Sequence, residues 1–157
     1  MSITLEFWYY SDAARSGGPV VATSESEIDG VLADLLQQRV QPHPTQIVAP
    51  ELPTFGRLKL PDRMFKMDLD PESTIGALHF YGPDPDSETG ESWSWASVSN
   101  EEITSWPPVL YIDKQNPTLF PPKSAITLET IKKALYEFHQ TGTRPTCIQW
   151  QDTGGII

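Results

Sequence analysis

Between Thr127 and Trp150 the chain reads TLETIKKALYEFHQTGTRPTCIQW, a run that leaves the backbone little choice. Leu128, Ile131, Ala134, Leu135 and Phe138 recur at the three-and-four spacing that lays one apolar stripe along a helix. Thr127 offers a hydroxyl cap, and Glu129 puts negative charge at the positive end of the helix dipole. Gly142 is the residue type that tolerates the left-handed backbone ending a helix, and Pro145 stops the helix resuming. Cys147, Ile148 and Trp150 then form an apolar run with strand character, ending on the tryptophan. The expected product is a helix, a sharp stop and a strand, docked together on a core. It carries no chemistry of its own.

Upstream, Ile3 to Tyr10 is rich in β-branched and aromatic residues and reads as a first strand. Gly17, Gly18 and Pro19 break it into a turn, with Val20 to Thr23 as a short partner strand. Ser24 and Glu27 have the spacing of a capping box, and Ile28, Val31, Leu32, Leu35 and Leu36 follow at helical spacing to about Arg39. From Thr45 to Phe120 the texture changes to short apolar segments separated by Pro, Gly and Asp. Expected strands are residues 46–49, 57–60, 75–81, 92–98 and 109–112. In the fourth, Trp93, Trp95 and Ser97 share one face and Ser92, Ser94 and Ala96 the other. The order of elements points to an α+β fold. One domain spanning residues 1–157 would hold a curved antiparallel sheet, wetter on one face, with two helices packed on it.

Chain length permits a sizeable core without staples, and a single cysteine excludes an intrachain disulfide and fits a reducing cytosol. Placed in the apolar last strand, Cys147 is expected to be buried and inert. The N-terminus has no basic region and carries Glu6 within its apolar run, which argues against a signal peptide. No apolar stretch approaches the length of a membrane span, so the expected location is cytoplasmic. A net charge of -10 with scattered Lys and Arg makes nucleic acid a poor partner and a basic protein a good one.

Searching for chemistry turns up little. His43 lies between prolines in a loop, His79 in a strand, and His139 beside the apolar stripe of the second helix. None has the spacing of a helical metal site, and no cofactor is implied. Asp84, Asp86, Glu88 and Glu91 resemble a calcium loop, but the glycine comes late and Trp95 stands where the closing glutamate belongs. The run is better read as an acidic hairpin connection. Asp68 and Asp70, before Pro71, read as a turn rather than an acid–base pair. A small metal-dependent hydrolase using His79 with Asp68 or Asp70 is one rival reading, and a non-catalytic adaptor is another.

Of five tryptophans, Trp8 and Trp150 lie in terminal strands with apolar neighbours and are expected in the core. Trp106 precedes Pro107 and Pro108, close to Glu101 and Glu102. A partly exposed tryptophan flanked by acids fits a protein-binding surface. The candidate partner-binding residues are therefore Asp84, Asp86, Glu88, Glu91, Trp93, Glu101, Glu102 and Trp106. Gly142, Pro145 and Trp150 are the expected structural anchors.

The run from Ala134 to Gln151, ALYEFHQTGTRPTCIQWQ, preceded by Phe120-Pro121-Pro122 and a helix start, resembles the C-terminal signature of immunity-protein family one of the bacterial polymorphic-toxin systems. Upstream the similarity rests on the order of elements alone. The resemblance implies a non-catalytic toxin inhibitor whose partner is a basic toxin domain, typically of the nucleic-acid deaminase superfamily. Inhibition by covering the active site is the implied mode, and Trp150 stands where that family carries its C-terminal tryptophan.

Overall fold

The computed structural model describes residues 2–11 and 18–155, so Gly17 of the expected first turn lies outside the described residues. In chain order the elements are β1 (Leu5–Trp8), β2 (Val20–Ala22), α1 (Glu25–Gln37), β3 (Thr45–Val48), β4 (Thr54–Phe55), β5 (Leu60–Pro61) and β6 (Met64–Asp70). Then come β7 (Ile75–Pro83), β8 (Ser92–Val98), β9 (Tyr111–Asp113), β10 (Thr118–Leu119), β11 (Ile126–Thr127), α2 (Leu128–Thr141) and β12 (Gln149–Asp152). Eight of the described strands form one sheet in the order β12-β8-β7-β6-β3-β1-β2, with β11 added to β7. Every pairing within it is antiparallel. The architecture is α+β, as the order of elements implied.

Both helices begin as their sequences dictate. Ser24 Oγ accepts the Glu27 N–H at 3.1 Å. The Glu27 carboxylate reaches one residue further back than a capping box requires, accepting the Thr23 N–H at 2.7 Å and the Thr23 hydroxyl at 2.6 Å. α1 ends at Gln37, two residues short of the expectation. Thr127 caps α2 through the Thr130 N–H at 3.3 Å, and Gly142 ends it with φ 70°. Ile28, Val31, Leu32 and Leu35 of α1 and Ile131, Ala134, Leu135 and Phe138 of α2 bury their stripes on one face of the sheet. Leu5, Phe7, Ile47, Phe65, Met67, Leu78, Phe80 and Trp95 meet them there. α2 comes close at Gly76, where an added Cβ would lie 2.6 Å from the Asp68 carbonyl oxygen and 3.1 Å from Ile131 Cδ1.

Several expectations fail for identifiable reasons. Residues 56–59 turn between β4 and β5, a small separate hairpin, and do not form a strand. Asp68 and Asp70 lie in β6, a seven-residue strand at the centre of the sheet, and not in a turn. The alternation of Phe65, Met67 and Leu69 with Lys66, Asp68 and Asp70 carried that signal. His139 is buried, its Nδ1 2.6 Å from the Ile3 carbonyl while Ile3 N–H bonds the His139 carbonyl at 2.8 Å. It ties the N-terminal strand to α2.

The second face of the sheet is only partly wet. Leu110, Ile112 and Phe120 fold over Ala77 and Ala96 to make a second apolar cluster. Trp8 belongs to this face and not to the core. It aligns with Gln46, Lys66, His79 and Ala96 across successive strands and is 42% exposed. Between the β7–β8 and β7–β11 ladders, Ser97 Oγ accepts the Leu78 N–H at 3.0 Å and donates to the Ser124 carbonyl at 2.8 Å. A buried serine thus closes the gap where β7 changes partner. Among the described residues, no helix is long and apolar enough to cross a membrane.

Candidate functional site

The polar and aromatic side chains of the C-terminal turn are used for construction. After Gly142 the chain is held by Glu137, whose carboxylate accepts the Cys147 N–H at 3.0 Å and the Thr146 hydroxyl at 3.1 Å. Arg63 Nη1 donates to the Gly142 carbonyl at 2.7 Å, satisfying an end-of-helix acceptor. Trp150 donates its indole N–H to the Pro145 carbonyl at 2.7 Å and packs half-buried against Phe65 and Phe80. The last strand therefore starts at Gln149 and runs past Trp150 to Asp152. Cys147 lies in the turn before it and is exposed, so the expected buried thiol is corrected. It stays protonated all the same. Local desolvation of the sulfur, with the Glu137 carboxylate beside it, pushes the thiol up to about 11.

Arg144 connects this turn to the first acidic candidate. Its guanidinium lies 4.3 Å from the Trp95 ring centroid, and Nη2 sits 3.6 Å from Asp86. A groove of about 600 Å³ runs between them, lined by Asp86, Trp95, Arg144, Ile148 and Trp150. The connection carrying Asp84, Asp86, Glu88 and Glu91 is a closed hairpin: Asp84 N–H bonds the Glu91 carbonyl at 2.8 Å, and Asp84 Oδ1 accepts the Asp86 N–H at 2.9 Å. Asp84 is half-buried, whereas the side chains of Asp86, Glu88 and Glu91 are exposed. Trp93, at the start of β8, is 42% exposed; the Gly154 N–H, 2.6 Å from Asp152 Oδ1, and secondly the Trp93 side chain hold the Asp152 carboxyl below its usual range.

Glu101, Glu102 and Trp106 occupy the other end of β8. Seven residues of strand separate the two acidic groups, roughly 20 Å at the usual rise. The structure does not bring them together. The second group sits on a projecting loop, residues 99–110, fixed at its ends. Ser99 N–H bonds the Lys123 carbonyl at 2.8 Å, Asn100 Nδ2 bonds Gln149 at 2.6 Å, and Leu110 is buried in the second cluster. Between those ends Glu101 and Glu102 are exposed and Trp106 is 88% exposed. Grooves of about 390 and 320 Å³ flank the loop and share Pro107, Lys123 and Ala125.

The residues of the hydrolase reading are otherwise engaged. Asp68 is buried, accepts the Tyr111 N–H at 2.8 Å and lies 3.5 Å from Lys114 Nζ, pinning β9 to the sheet. Burial pushes its carboxyl above the usual range. His79 is buried with Nε2 3.4 Å from the Thr153 hydroxyl. Among the described residues no group of three or more His, Cys, Asp or Glu side chains is placed to hold a metal ion.

Two exposed surfaces escaped the sequence reading. Trp8, Tyr10 and His43 rim a groove of about 270 Å³, and Phe55, Leu58 and Leu60 stand out on the β4–β5 hairpin. The parity of β1 carried the first signal, since Glu6 and Trp8 alternate with Leu5 and Phe7.

No curated protein matches this chain. Residues 16–152 match the family described as immunity protein Imm1, a span that includes both helices, most of the sheet and both acidic groups. The chain belongs to the Imm1 family of immunity proteins.

Proposed function

We propose that this immunity protein neutralises a toxin of the nucleic-acid deaminase superfamily by covering the groove that holds the toxin's substrate. Membership of the family supplies the coarse part, a toxin-neutralising role. Charge carries the finer part. An enzyme that grips nucleic acid needs clustered Lys and Arg facing phosphates. This chain has a net charge of -10, with exposed carboxylates at both ends of β8. Such a surface repels nucleic acid and is drawn to the groove that binds it. Inhibition then needs no bond-making by this protein, only a complex tight enough to silence leaked toxin.

The test is to search the neighbouring reading frames for a toxin domain, co-express that domain with this chain and purify the pair. Expected are cell survival, a stable complex and loss of deamination in the purified mixture. A neighbouring toxin without the H-x-E and C-x-x-C zinc signature, or one whose substrate is not nucleic acid, overturns the deaminase reading.

A further inference from the structure

We propose that the loop of residues 99–110 inhibits as a nucleotide mimic, with Trp106 filling the toxin's base pocket and Glu101 and Glu102 meeting the cations that otherwise hold phosphates. The inference rests on the reading above and adds which end of the molecule enters the groove, and how.

Three observations converge on this loop. The first is the state of Trp106, an indole 88% exposed on a chain whose other four tryptophans are at least half covered. Indole is a flat bicyclic ring with two π faces and one edge donor, close in shape to a purine. Enzymes that work on a base extrude it from the stack and clasp it between aromatic or apolar side chains. A pocket built to stack any base face also stacks indole.

The second is preorganisation. Pro107 and Pro108 fix their own φ angles, and a residue before proline is confined to extended backbone, so the Trp106 backbone has little freedom to lose. Its backbone N–H already bonds the Thr104 hydroxyl at 3.2 Å. With Ser99, Asn100 and Leu110 tied down, the loop presents its ring at small ordering cost.

The third is the placement of charge beside the ring. In the other acidic group Asp86 lies 3.6 Å from Arg144, and the tryptophans near it, Trp93 and Trp95, are more covered than Trp106. Among the described residues, Glu101 and Glu102 form no salt bridge. They stand within five residues of Trp106 on the same loop, so a basic groove meets ring and charge together.

A mimic must compete with substrate. The experiment uses full-length protein, the adjacent toxin domain, and single-stranded DNA and RNA oligonucleotides of one sequence. Initial rates are measured across substrate and inhibitor concentrations. Expected is a raised KM with unchanged kcat. Trp106→Ala is expected to weaken inhibition about 30-fold or more, while Trp106→Phe stays within a few-fold of the parent. Glu101→Gln with Glu102→Gln is expected to weaken it about 5- to 10-fold, less at high salt. All these residues are exposed, so melting temperatures should match the parent and separate lost contact from lost fold. Lowered kcat at constant KM, or Trp106→Ala inhibiting like the parent, overturns the mimicry while leaving the immunity role intact. A toxin that is bound and silenced but turns over neither oligonucleotide overturns the nucleic-acid reading itself, and the mimicry with it.

Discussion

Trp150 donates its indole N–H to the carbonyl of Pro145, five residues earlier, across 2.7 Å. The proline of the turn after α2 thus supplies the acceptor for a ring on the last strand. One hydrogen bond couples the end of a helix to the edge of a sheet, and the ring's flank packs on Phe65 and Phe80.

Trp150→Ala should therefore destabilise the protein by about 2–4 kcal/mol, somewhat below the roughly 3–5 kcal/mol of a fully buried aromatic truncation because the ring is only half-buried. Trp150→Phe keeps most of the packing and loses the N–H that the carbonyl of the buried Pro145 accepts, at a cost of about 1–3 kcal/mol. Chemical denaturation of the three proteins measures both. If the alanine variant keeps its midpoint and only toxin binding falls, Trp150 belongs to the interface.

Cys147 is exposed yet should label slowly. With its thiol pushed up to about 11, it holds at pH 8 about a hundredfold less thiolate than an ordinary cysteine, since each pKa unit is a factor of ten. Glu137→Gln removes the neighbouring negative charge, although desolvation, the larger cause, remains. The variant is expected to react with iodoacetamide about 3- to 10-fold faster than the parent. Equal labelling rates would mean that the carboxylate has no hold on the sulfur.

Asp68 should leave a signature in the pH dependence of stability. Burial raises its carboxyl above the usual range, against the opposing pull of the Tyr111 N–H and Lys114. The folded state then binds this proton more tightly than the unfolded chain does. The group's stabilising contribution is full below about pH 4, the unfolded value, and is lost as pH rises through the raised folded value. Asp68→Asn removes the titration. Relative to the parent, the variant should gain stability from pH 4 towards pH 7 in denaturant titrations. A difference that stays flat with pH, or slopes the other way, contradicts the assignment.

The two acidic groups should separate in binding kinetics, because β8 holds them at opposite ends. Glu101→Gln with Glu102→Gln is expected to slow association with the toxin about 3- to 10-fold at low salt, and less at high salt. Neutralising Asp84, Asp86, Glu88 and Glu91 together should change association less, as that hairpin lies some 20 Å away along the strand. Stopped-flow measurements at two salt concentrations decide it. The reverse ranking would turn the molecule end for end on its toxin.

Elements whose signals are local were legible in the chain. The stripe from Leu128 to Phe138, the left-handed stop at Gly142, and the Ser24 and Thr127 caps each depend on residues within a turn or two, and all formed. The hairpin reading of residues 84–91 held for the same reason, since Asp84 and Glu91 close it with their own backbone. Where a charged side chain is buried by distant partners, reading failed. Asp68 alternates with Phe65, Met67 and Leu69 as a strand residue does, but nothing nearby in sequence announces Lys114 or the Tyr111 N–H, its partners more than forty residues away.

Sequence by itself determined the class of fold, the two helices and the acidity, because periodicity, capping and charge are properties of neighbouring residues or of plain composition. Only the tertiary structure decided which face each strand turned to the helices. That choice put Trp8 outside with Glu6, left Cys147 in an exposed turn, and folded residues 110–120 over what would otherwise be a wet sheet face. It also decided that Asp86 is tied to Arg144 while Glu101, Glu102 and Trp106 project together from the far end of β8. Exposure and long-range pairing depend on what the rest of the chain covers, and no window of sequence contains that.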